Sequence, residues 1–504
     1  MLMLKKPKLI ALLALLAVSN ARAEASEASA CGRIAATVEA VVDFSTVVRS
    51  ETPPALFGFN VPWRDFQVGF WRQGRVRPEL IDLLKPFAGA GYRYPGGTPS
   101  NNFDWTQTRG PLASRRPVHA DYGRRVPVEF GLAEFADFLR LVDGQAMLTA
   151  NLTGIEDSTP SLEAMKPDAM TFARQVRAEF DWPCKNGASC RLQALELGNE
   201  LDWPPHRLSG RAYADRANAF RSEVNSQFPG ITWVAAGRTA PWEKKGEPVD
   251  EFNRTVLMAM GDGVGGLAIH PYYDGIPVPD ALRYVRRYAD AVNQVTPRGG
   301  VYVTEHARWP AKPIAGDWRQ NWYTTTSMGG ALSTSDFLLG LMPMSTVKGA
   351  HWHALSAAGP WQLVRVDPAT DKLVPTALYW ALRVLREGFL ADVVDLRYTA
   401  TNQSGYRGGY DQRLIAMSGS GTRRILGVNR GQVPLLLKVS QSAKAGPLVA
   451  EKLRWVGAES VDEQNLPEAP TRIQAKGRSI SPSDQPGDAA VCVPPLSVFS
   501  LTLR

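Results

Sequence analysis

The chain has 504 residues, of which 44% are hydrophobic, so it can bury a large core divided among two or three domains. Its formal net charge of +8 is too small for the basic footprint of a nucleic-acid-binding protein. Composition therefore favours a large globular protein whose partners are not nucleic acids.

Residues 1–23 are typical of a secretory signal peptide. Three lysines precede an apolar run from Leu9 to Val18, and the small-residue motif Ala21-Arg22-Ala23 follows. We expect export to the periplasm or the medium, with a retained N-terminal anchor as the alternative. No later segment offers the ~20 apolar residues that a membrane-spanning helix needs. Removing the peptide lowers the net charge to +4, because four basic residues leave with it. That charge is compatible with an acidic polymer or with solubility alone.

Four cysteines in an exported chain predict two disulfides. Cys184 and Cys190 flank a short polar loop, which favours a local bridge and leaves Cys31 to pair with Cys492. Uneven spacing and the absence of nearby histidines argue against a zinc site built from these cysteines.

Short apolar runs alternate with amphipathic helices over residues 55–389, and this pattern predicts an eight-stranded (β/α) TIM barrel. The predicted strands are Phe57–Val61, Gly91–Tyr94, Ala146–Asn151, Gln193–Gly198, Ile231–Ala236, Gly266–His270, Gly300–Thr304 and Lys348–Trp352. A doubly wound open sheet is the alternative, but no glycine-rich phosphate motif follows the first strand.

The predicted helices of this region lie between those strands. One has Ser209 as its N-cap and stops at Pro229-Gly230, and others begin near Pro78, Leu132, Leu162, Pro279, Trp322 and Thr376. Residues 24–54 contribute one or two strands, and residues 390–504 show short alternating segments separated by turns. These flanking regions predict an antiparallel β-sandwich domain that the N-terminal strands join.

Two of the predicted barrel strands end in a glutamate. Glu200 closes the fourth strand in Gly198-Asn199-Glu200, and Glu305 closes the seventh in Thr304-Glu305-His306. A capping glutamate is the structural alternative for Glu200. Strands three apart face each other across a barrel mouth, so the two carboxylates should converge at its C-terminal end. Converging carboxylates are the equipment of glycosidic bond cleavage, in which one donates a proton and the other attacks or activates water.

Neighbouring residues fit this chemistry. Arg93 can keep a carboxylate ionised, Asn199 can bond a sugar hydroxyl, and Tyr272 of the His270-Pro271-Tyr272 segment can donate to Glu305. Their structural alternatives are a salt bridge, a loop cap and packing. We also expect Asn60, Trp105, His270 and Trp352 to contact the substrate, and at least two tryptophans among Trp63, Trp71, Trp105, Trp203, Trp309 and Trp352 to line the cleft.

Taken together, Arg93-Tyr94-Pro95-Gly96-Gly97, Glu196-Leu197-Gly198-Asn199-Glu200, His270-x-Tyr272 and the strand-end Glu305 resemble the retaining glycoside hydrolases of clan A. The resemblance is to the heparanase-like β-glucuronidases, the α-L-arabinofuranosidases and the β-xylosidases, and it covers both the barrel and the sandwich. It implies that Glu200 is the acid/base, Glu305 the nucleophile, Asn199 a ligand of the 2-hydroxyl, and Arg93 and Tyr272 supports of Glu305. Leu201-Asp202-Trp203 and the segment after Glu305 depart from the usual family patterns.

Two other functions remain open from the residues alone. His351 and His353 share one face of the last strand and could bind a metal, as in barrel hydrolases, although no further Asp, His and Lys ligands follow the other strands. The second is a noncatalytic polysaccharide-binding protein on a glycosidase scaffold. We expect the protein to be a monomer that needs no metal or cofactor. Its expected substrate is a poly- or oligosaccharide, either neutral or acidic.

Overall fold

The computed structural model describes residues 36–121, 124–155, 160–180, 191–239, 247–310, 318–442, 448–480 and 489–504. Within these ranges the chain forms a closed parallel β-barrel surrounded by helices and a second domain built on one antiparallel sheet. The predicted fold class is confirmed. No helix in the described part of the chain is both long enough and apolar enough to cross a bilayer.

Eight parallel strands form the barrel, in chain order around the ring. After an N-terminal strand β1 (Ala36–Arg49), they are β2 (Gly58–Asn60), β3 (Gly91–Tyr94), β4 (Gln145–Ala150), β5 (Leu192–Leu197), β6 (Trp233–Ala236), β7 (Gly266–Ile269), β8 (Gly300–Arg308) and β9 (Val347–Trp352). Pairing of β7 with β8 and of β9 with β2 closes the ring.

Helices follow the barrel strands and cover their outer faces. They are α1 (Trp63–Phe70), α2 (Pro78–Leu84), α3 (Leu132–Val142), α4 (Leu162–Glu179), α5 (Gly210–Gln227), α6 (Val249–Met260), α7 (Val278–Val295), α8 (Met328–Leu341) and α9 (Ala377–Gly388). Ser209 caps α5 as predicted, its hydroxyl accepting a hydrogen bond from the Ala212 amide.

Three helices differ from the sequence prediction. The segment around Trp322 is a 3₁₀ helix, Trp318–Thr325, and α8 begins only at Met328. Every residue of α8 is buried, so its sequence has no polar face to reveal its period. Helices α1 and α6 were missed, although Phe252, Val256 and Met260 of α6 do carry helical spacing.

Alternation along the strands decides which side chains enter the barrel. Its interior is filled by Met147, Ala194, Val234, Ala268 and Tyr302, one from each of five strands. The intervening residues point outward into the larger core beneath the helices. Polar residues that follow the interior positions toward the C-terminal strand ends therefore face the barrel mouth.

The second domain is one curled nine-stranded sheet. Its C-terminal strands are β10 (Asp392–Tyr398), β11 (Gln412–Gly419), β12 (Thr422–Asn429), β13 (Leu435–Gln441), β14 (Ala450–Gly457), β15 (Lys476–Ser479), β16 (Ala489–Val493) and β17 (Ser497–Leu503). The N-terminal strand β1 lies between β10 and β13, antiparallel to the first and parallel to the second. The sheet therefore joins residues from the two ends of the described chain around its own apolar core.

Candidate active site

Glu200 lies just beyond β5, at the C-terminal mouth of the barrel. The chain leaves the strand through Gly198, whose φ is +80°, and Glu200 itself has a φ of +45°. These left-handed conformations turn the carboxylate over the mouth, where it lines a cavity of about 970 Å³. The Glu200 side chain remains 34% exposed, so it is open to a bound molecule.

Glu305 reaches the same cavity because β8 contains a β-bulge. Between the Val303–Ala350 and His306–Trp352 pairs, β8 has one more residue than β9. Thr304 already points into the barrel, and strict alternation would send Glu305 outward. The extra residue re-aims Glu305 toward the mouth, where its side chain is only 6% exposed.

Arg93 of β3 is fully buried beneath the two glutamates. Its guanidinium donates to Glu305 Oε1 at 2.8 Å, to Glu196 Oε2 at 2.5 Å and to Asn199 Oδ1 at 2.7 Å. Asn60 accepts a weaker bond from Arg93 at 3.3 Å. Arg93 therefore fixes Glu305 and Asn199 in place from below, and Glu196 is a buried structural partner rather than a third reactive carboxylate.

Further donors surround Glu305. The Tyr272 hydroxyl donates to Glu305 Oε2 at 2.8 Å, and His270 Nδ1 lies 3.7 Å from the same oxygen. Burial alone would raise the pKa of Glu305, but the positive charges of His270 and Arg93 and the bond from Tyr272 hold that pKa well below its ordinary value. Glu305 is thus a carboxylate kept ionised, as an attacking group requires.

Glu200 has a different environment. Its Oε1 lies 2.7 Å from His270 Nδ1, and Asp202 lines the cavity beside it. Burial, followed by the charge of Glu200, raises the pKa of Asp202 to about 6, while Arg238 opposes the shift from 3.2 Å. Glu200 therefore combines a partly exposed carboxyl group with a direct contact to the imidazole of His270, a geometry suited to exchanging a proton with a bound molecule.

The separation of the two carboxylates fits one mode of glycoside cleavage. One carboxylate oxygen of Glu200 lies within 4.8 Å of one of Glu305. Carboxyl groups about 5–5.5 Å apart are typical of retaining glycosidases, whereas inverting enzymes need about 6.5–9.5 Å to admit a water. The spacing therefore favours direct attack by one carboxylate.

The structure brings most of the predicted site residues together but gives several of them supporting positions. Tyr272 and His270 line the cavity with the two glutamates. Asn60, Arg93 and Asn199 lie below the cavity, almost fully buried and bonded to one another or to Glu305. The amide of Asn60 contacts Arg93, Glu305 and His353, and its predicted sugar contact stays a prediction.

Trp352 and Trp105, predicted to contact the substrate, lie away from the cavity. Trp352 alternates with the inward-facing His351 and His353, so it points outward, where it packs against His306 and is 1% exposed. Trp105 packs edge-on against Phe172 in the layer outside the barrel.

Other tryptophans do line the cavity. These are Trp203, Trp309 and Trp361; the first two are among the six tryptophans considered from the sequence, and the third was missed. Asn101, His119 and His206 were missed as well, since they lie outside the predicted barrel strands, on the 3₁₀ helix Thr98–Asn102, the short strand Val118–Asp121 and a turn. His353 was considered only as a metal ligand, although it lies 3.6 Å from Glu305.

Among the described residues, Glu200, His270 and Glu305 have one donor atom each within 4.8 Å of the others, a spacing that a metal ion could use. Glu305, however, is already bonded to the Arg93 cation, and His270 faces Glu200 directly. The histidine pair considered from the sequence is divided, because His351 is completely buried inside the barrel and its burial lowers its pKa to about 3. The donor set therefore fits proton transfer better than metal binding.

The predicted disulfides fall largely outside the described residues. Cys31, Cys184 and Cys190 lie outside them, and Cys492 lies on β16. Both bridges, Cys184–Cys190 and Cys31–Cys492, stay predictions.

Sequence comparisons point to one group of proteins. The family model described as the α-L-arabinofuranosidase 1 domain matches residues 83–258. An intracellular exo-α-(1→5)-L-arabinofuranosidase from Streptomyces lividans is 29% identical over 211 residues, which are 40% of this chain and 30% of that protein. The chain spans only 30–42% of the length of the first four curated relatives, all of whose names describe intracellular enzymes.

Solved structures show the same fold over nearly the whole chain. A family 51 α-L-arabinofuranosidase from Bifidobacterium longum superposes with a TM-score of 0.75 at 17% identity, covering 93% of this chain and 99% of that one. An α-L-arabinofuranosidase from Thermotoga maritima, solved with arabinose, gives 0.72 at 16% identity over 93% and 100% of the two chains. The resemblance to the clan A retaining glycoside hydrolases is confirmed, with the α-L-arabinofuranosidases favoured among the families considered.

Proposed function

We propose that the protein is a retaining glycoside hydrolase in which Glu305 is the nucleophile and Glu200 the acid/base. The observation that carries this proposal is the pair of carboxylates within 4.8 Å at the barrel mouth, one buried and bonded to a guanidinium, the other partly exposed. Unequal environments of this kind assign opposite roles to two identical side chains.

In the first step, Glu305 attacks the anomeric carbon and the glycosidic bond breaks. Glu200 donates its proton to the leaving oxygen, so that the leaving group departs as an alcohol and a covalent glycosyl ester remains on Glu305. In the second step, Glu200 takes a proton from water, which attacks the same carbon and releases Glu305. Arg93 and Tyr272 orient the nucleophile throughout, and Asn199 is assigned to the 2-hydroxyl of the sugar.

We propose α-L-arabinofuranosides as the substrate class, in oligosaccharides or polysaccharides. The relatives named above act on such bonds by their names, and the matched region, residues 83–258, includes Arg93, Asn199 and Glu200. Trp203, Trp309 and Trp361 offer aromatic faces on the cavity wall, which suit sugar rings.

A 2-fluoro-arabinofuranoside with a good leaving group tests the proposal, because it forms the glycosyl ester and hydrolyses slowly. Peptide mass spectrometry should find the label on Glu305, and a label on another residue would contradict the assignment. The Glu200→Gln variant should still cleave aryl glycosides with activated leaving groups but lose activity on alkyl glycosides. Binding of many glycans without cleavage of any would favour the noncatalytic alternative.

The cellular location is a separate part of the proposal. We propose export as a monomer, with cleavage after Ala23 and with the two disulfides formed, on the strength of the N-terminal sequence and the four cysteines. N-terminal sequencing of the protein from cell fractions, non-reducing peptide mapping and light scattering test these three points. An uncleaved chain in the cytoplasmic fraction would contradict export.

A further inference from the structure

A chain of hydrogen bonds runs through the barrel interior from Glu196 to Glu200. Thr304 Oγ1 lies 2.9 Å from Glu196 Oε1 and 2.9 Å from His270 Nε2. The other ring nitrogen, His270 Nδ1, lies 2.7 Å from Glu200 Oε1. Thr304 and His270 thus connect a buried structural carboxylate to the proposed acid/base.

The direction of these bonds follows from what each group can donate. Glu196 is completely buried and forms a 2.5 Å salt bridge with Arg93, so its oxygens only accept. Thr304 has a single hydroxyl hydrogen, which it donates to Glu196. Its oxygen must therefore accept from His270, which requires a hydrogen on Nε2.

This arrangement determines what Glu200 faces. A neutral imidazole has one hydrogen, and with that hydrogen on Nε2 the Nδ1 atom presents a lone pair to Glu200. The pair Glu200–His270 is then stable with one shared proton, held on either atom. If that proton leaves, a carboxylate oxygen and a nitrogen lone pair face each other at 2.7 Å, which is unfavourable.

We propose that Thr304 and Glu196 are positioning residues that fix the tautomer of His270 and thereby keep the reaction's acidic proton on the Glu200–His270 pair. This inference rests on the proposed function, since it concerns the proton that Glu200 gives to the leaving group. Neither Thr304 nor Glu196 lines the cavity, and their connection to Glu200 in this chain of hydrogen bonds runs through His270.

Several charged groups face the same pair. Glu305 lies 3.7 Å from His270 Nδ1, and Asp202 interacts with both His270 and Glu200. Arg93, His353 and the Tyr272 hydroxyl approach from β3, the segment after β9 and the segment after β7. Replacing the Thr304 hydroxyl by a methyl group removes none of these charges, so its effect isolates the hydrogen bond.

The test compares two threonines that both donate to Glu196. Thr304→Val removes the bridge to His270, whereas Thr149→Val removes a 2.8 Å bond to Glu196 Oε2 that does not involve the histidine. In Thr304→Val the ring can move its hydrogen to Nδ1 and donate to ionised Glu200. The basic limb of kcat/KM should then shift to lower pH by about 0.5 to 1 unit, the equivalent of one hydrogen bond. Thr149→Val should leave that limb in place and Thr304→Ser should restore it, whereas equal shifts in the two valine variants would overturn the proposal.

A second readout does not depend on catalysis. The chain has six histidines, so nitrogen-15 spectra of histidine-labelled protein can be assigned by the signal missing in His270→Gln. At a pH where the ring is neutral, His270 should carry its hydrogen on Nε2 in the wild type and in Thr149→Val, and on Nδ1 in Thr304→Val. A hydrogen on Nδ1 in the wild type would overturn the proposal even if Thr304→Val does not fold. If no glycoside is cleaved, the proposed function fails while these spectra still decide where the proton lies.

Discussion

Tyr272 is the residue whose removal tests the support of Glu305 most directly. Its hydroxyl donates to Glu305 Oε2 at 2.8 Å, in addition to the bond from Arg93 to the other oxygen. A hydrogen bond to a charged group is worth about 1.5–3 kcal/mol, so Tyr272→Phe should lower kcat about 10- to 100-fold with a smaller change in KM. Steady-state kinetics on an aryl arabinofuranoside measures both values.

The adjacent tyrosine offers the control. Tyr273 points away from the cavity and bonds Thr334 at 2.9 Å, so Tyr273→Phe should change stability more than kcat. Equal losses of kcat in the two variants would show that the Tyr272 hydroxyl has no specific role.

Asp202 should make stability depend on pH. Burial and the charge of Glu200 raise its pKa from the ordinary 3.8 to about 6, so the fold binds this proton more tightly than the unfolded chain. The wild type must therefore lose stability, relative to Asp202→Asn, as the pH rises from about 4 to about 6. We expect the difference to change by about 1–3 kcal/mol over that window. Denaturant unfolding at several pH values measures it, with the exposed Asp82→Asn as the control, and a difference that is constant with pH would contradict the prediction.

At the level of the elements, the two glutamates reach one cavity by different backbone irregularities. A bulge in β8 turns Glu305 inward, and left-handed residues after β5 carry Glu200 over the mouth. The sequence predicted both strands and both carboxylates, because apolar runs and the polar residues that follow them are visible in the chain. The bulge was not predictable, since an extra residue exists only relative to the neighbouring strand.

Gly198 allows a test of this backbone geometry. A Cβ added there would meet Leu201 Cδ1 at 2.9 Å, and the φ of +80° costs an L-residue about 1–2 kcal/mol. Gly198→Ala should therefore displace Glu200 and lower kcat about tenfold or more. Gly421, in the turn between β11 and β12, has a φ of +75° and no neighbour within 4 Å, so Gly421→Ala incurs similar backbone strain away from the site. Thermal unfolding should show similar stability losses in the two variants, whereas activity assays should show a loss of kcat only in Gly198→Ala. An unchanged kcat in Gly198→Ala would contradict the prediction.

For the whole molecule, a buried ion cluster joins the barrel to the sheet domain. Asp336 of α8 is completely buried and pairs with Arg430 at 2.8 Å and with Arg413. Asp336→Asn leaves two arginines with a neutral partner, which should destabilise the fold by about 3–5 kcal/mol. The partly exposed Asp280, which pairs with Arg283 on α7, offers the comparison, and Asp280→Asn should cost no more than about 1 kcal/mol. Calorimetry checks both values, and equal effects would show that the cluster contributes little to the fold.

Local patterns determined much of this protein. The alternation of apolar runs and helices predicted the eight barrel strands, and the positions of Glu200, Glu305, Arg93 and Tyr272 at or near strand ends predicted the candidate site. These features can be predicted from the sequence because the periods of strands and helices depend on residues that are close together in the chain.

Only the tertiary structure decided which groups touch. It placed Asn60, Asn199 and Arg93 beneath the cavity, turned Trp352 outward, and brought His353 and Trp361 from the last barrel segment to Glu305 and Tyr272. It also joined Glu196 of β5, Thr304 of β8, and His270 and Glu200 from the segments after β7 and β5, into one chain of hydrogen bonds. Closing the barrel creates these contacts, because it brings residues a hundred or more positions apart within hydrogen-bonding distance. No local period in the sequence indicates which strands will become neighbours.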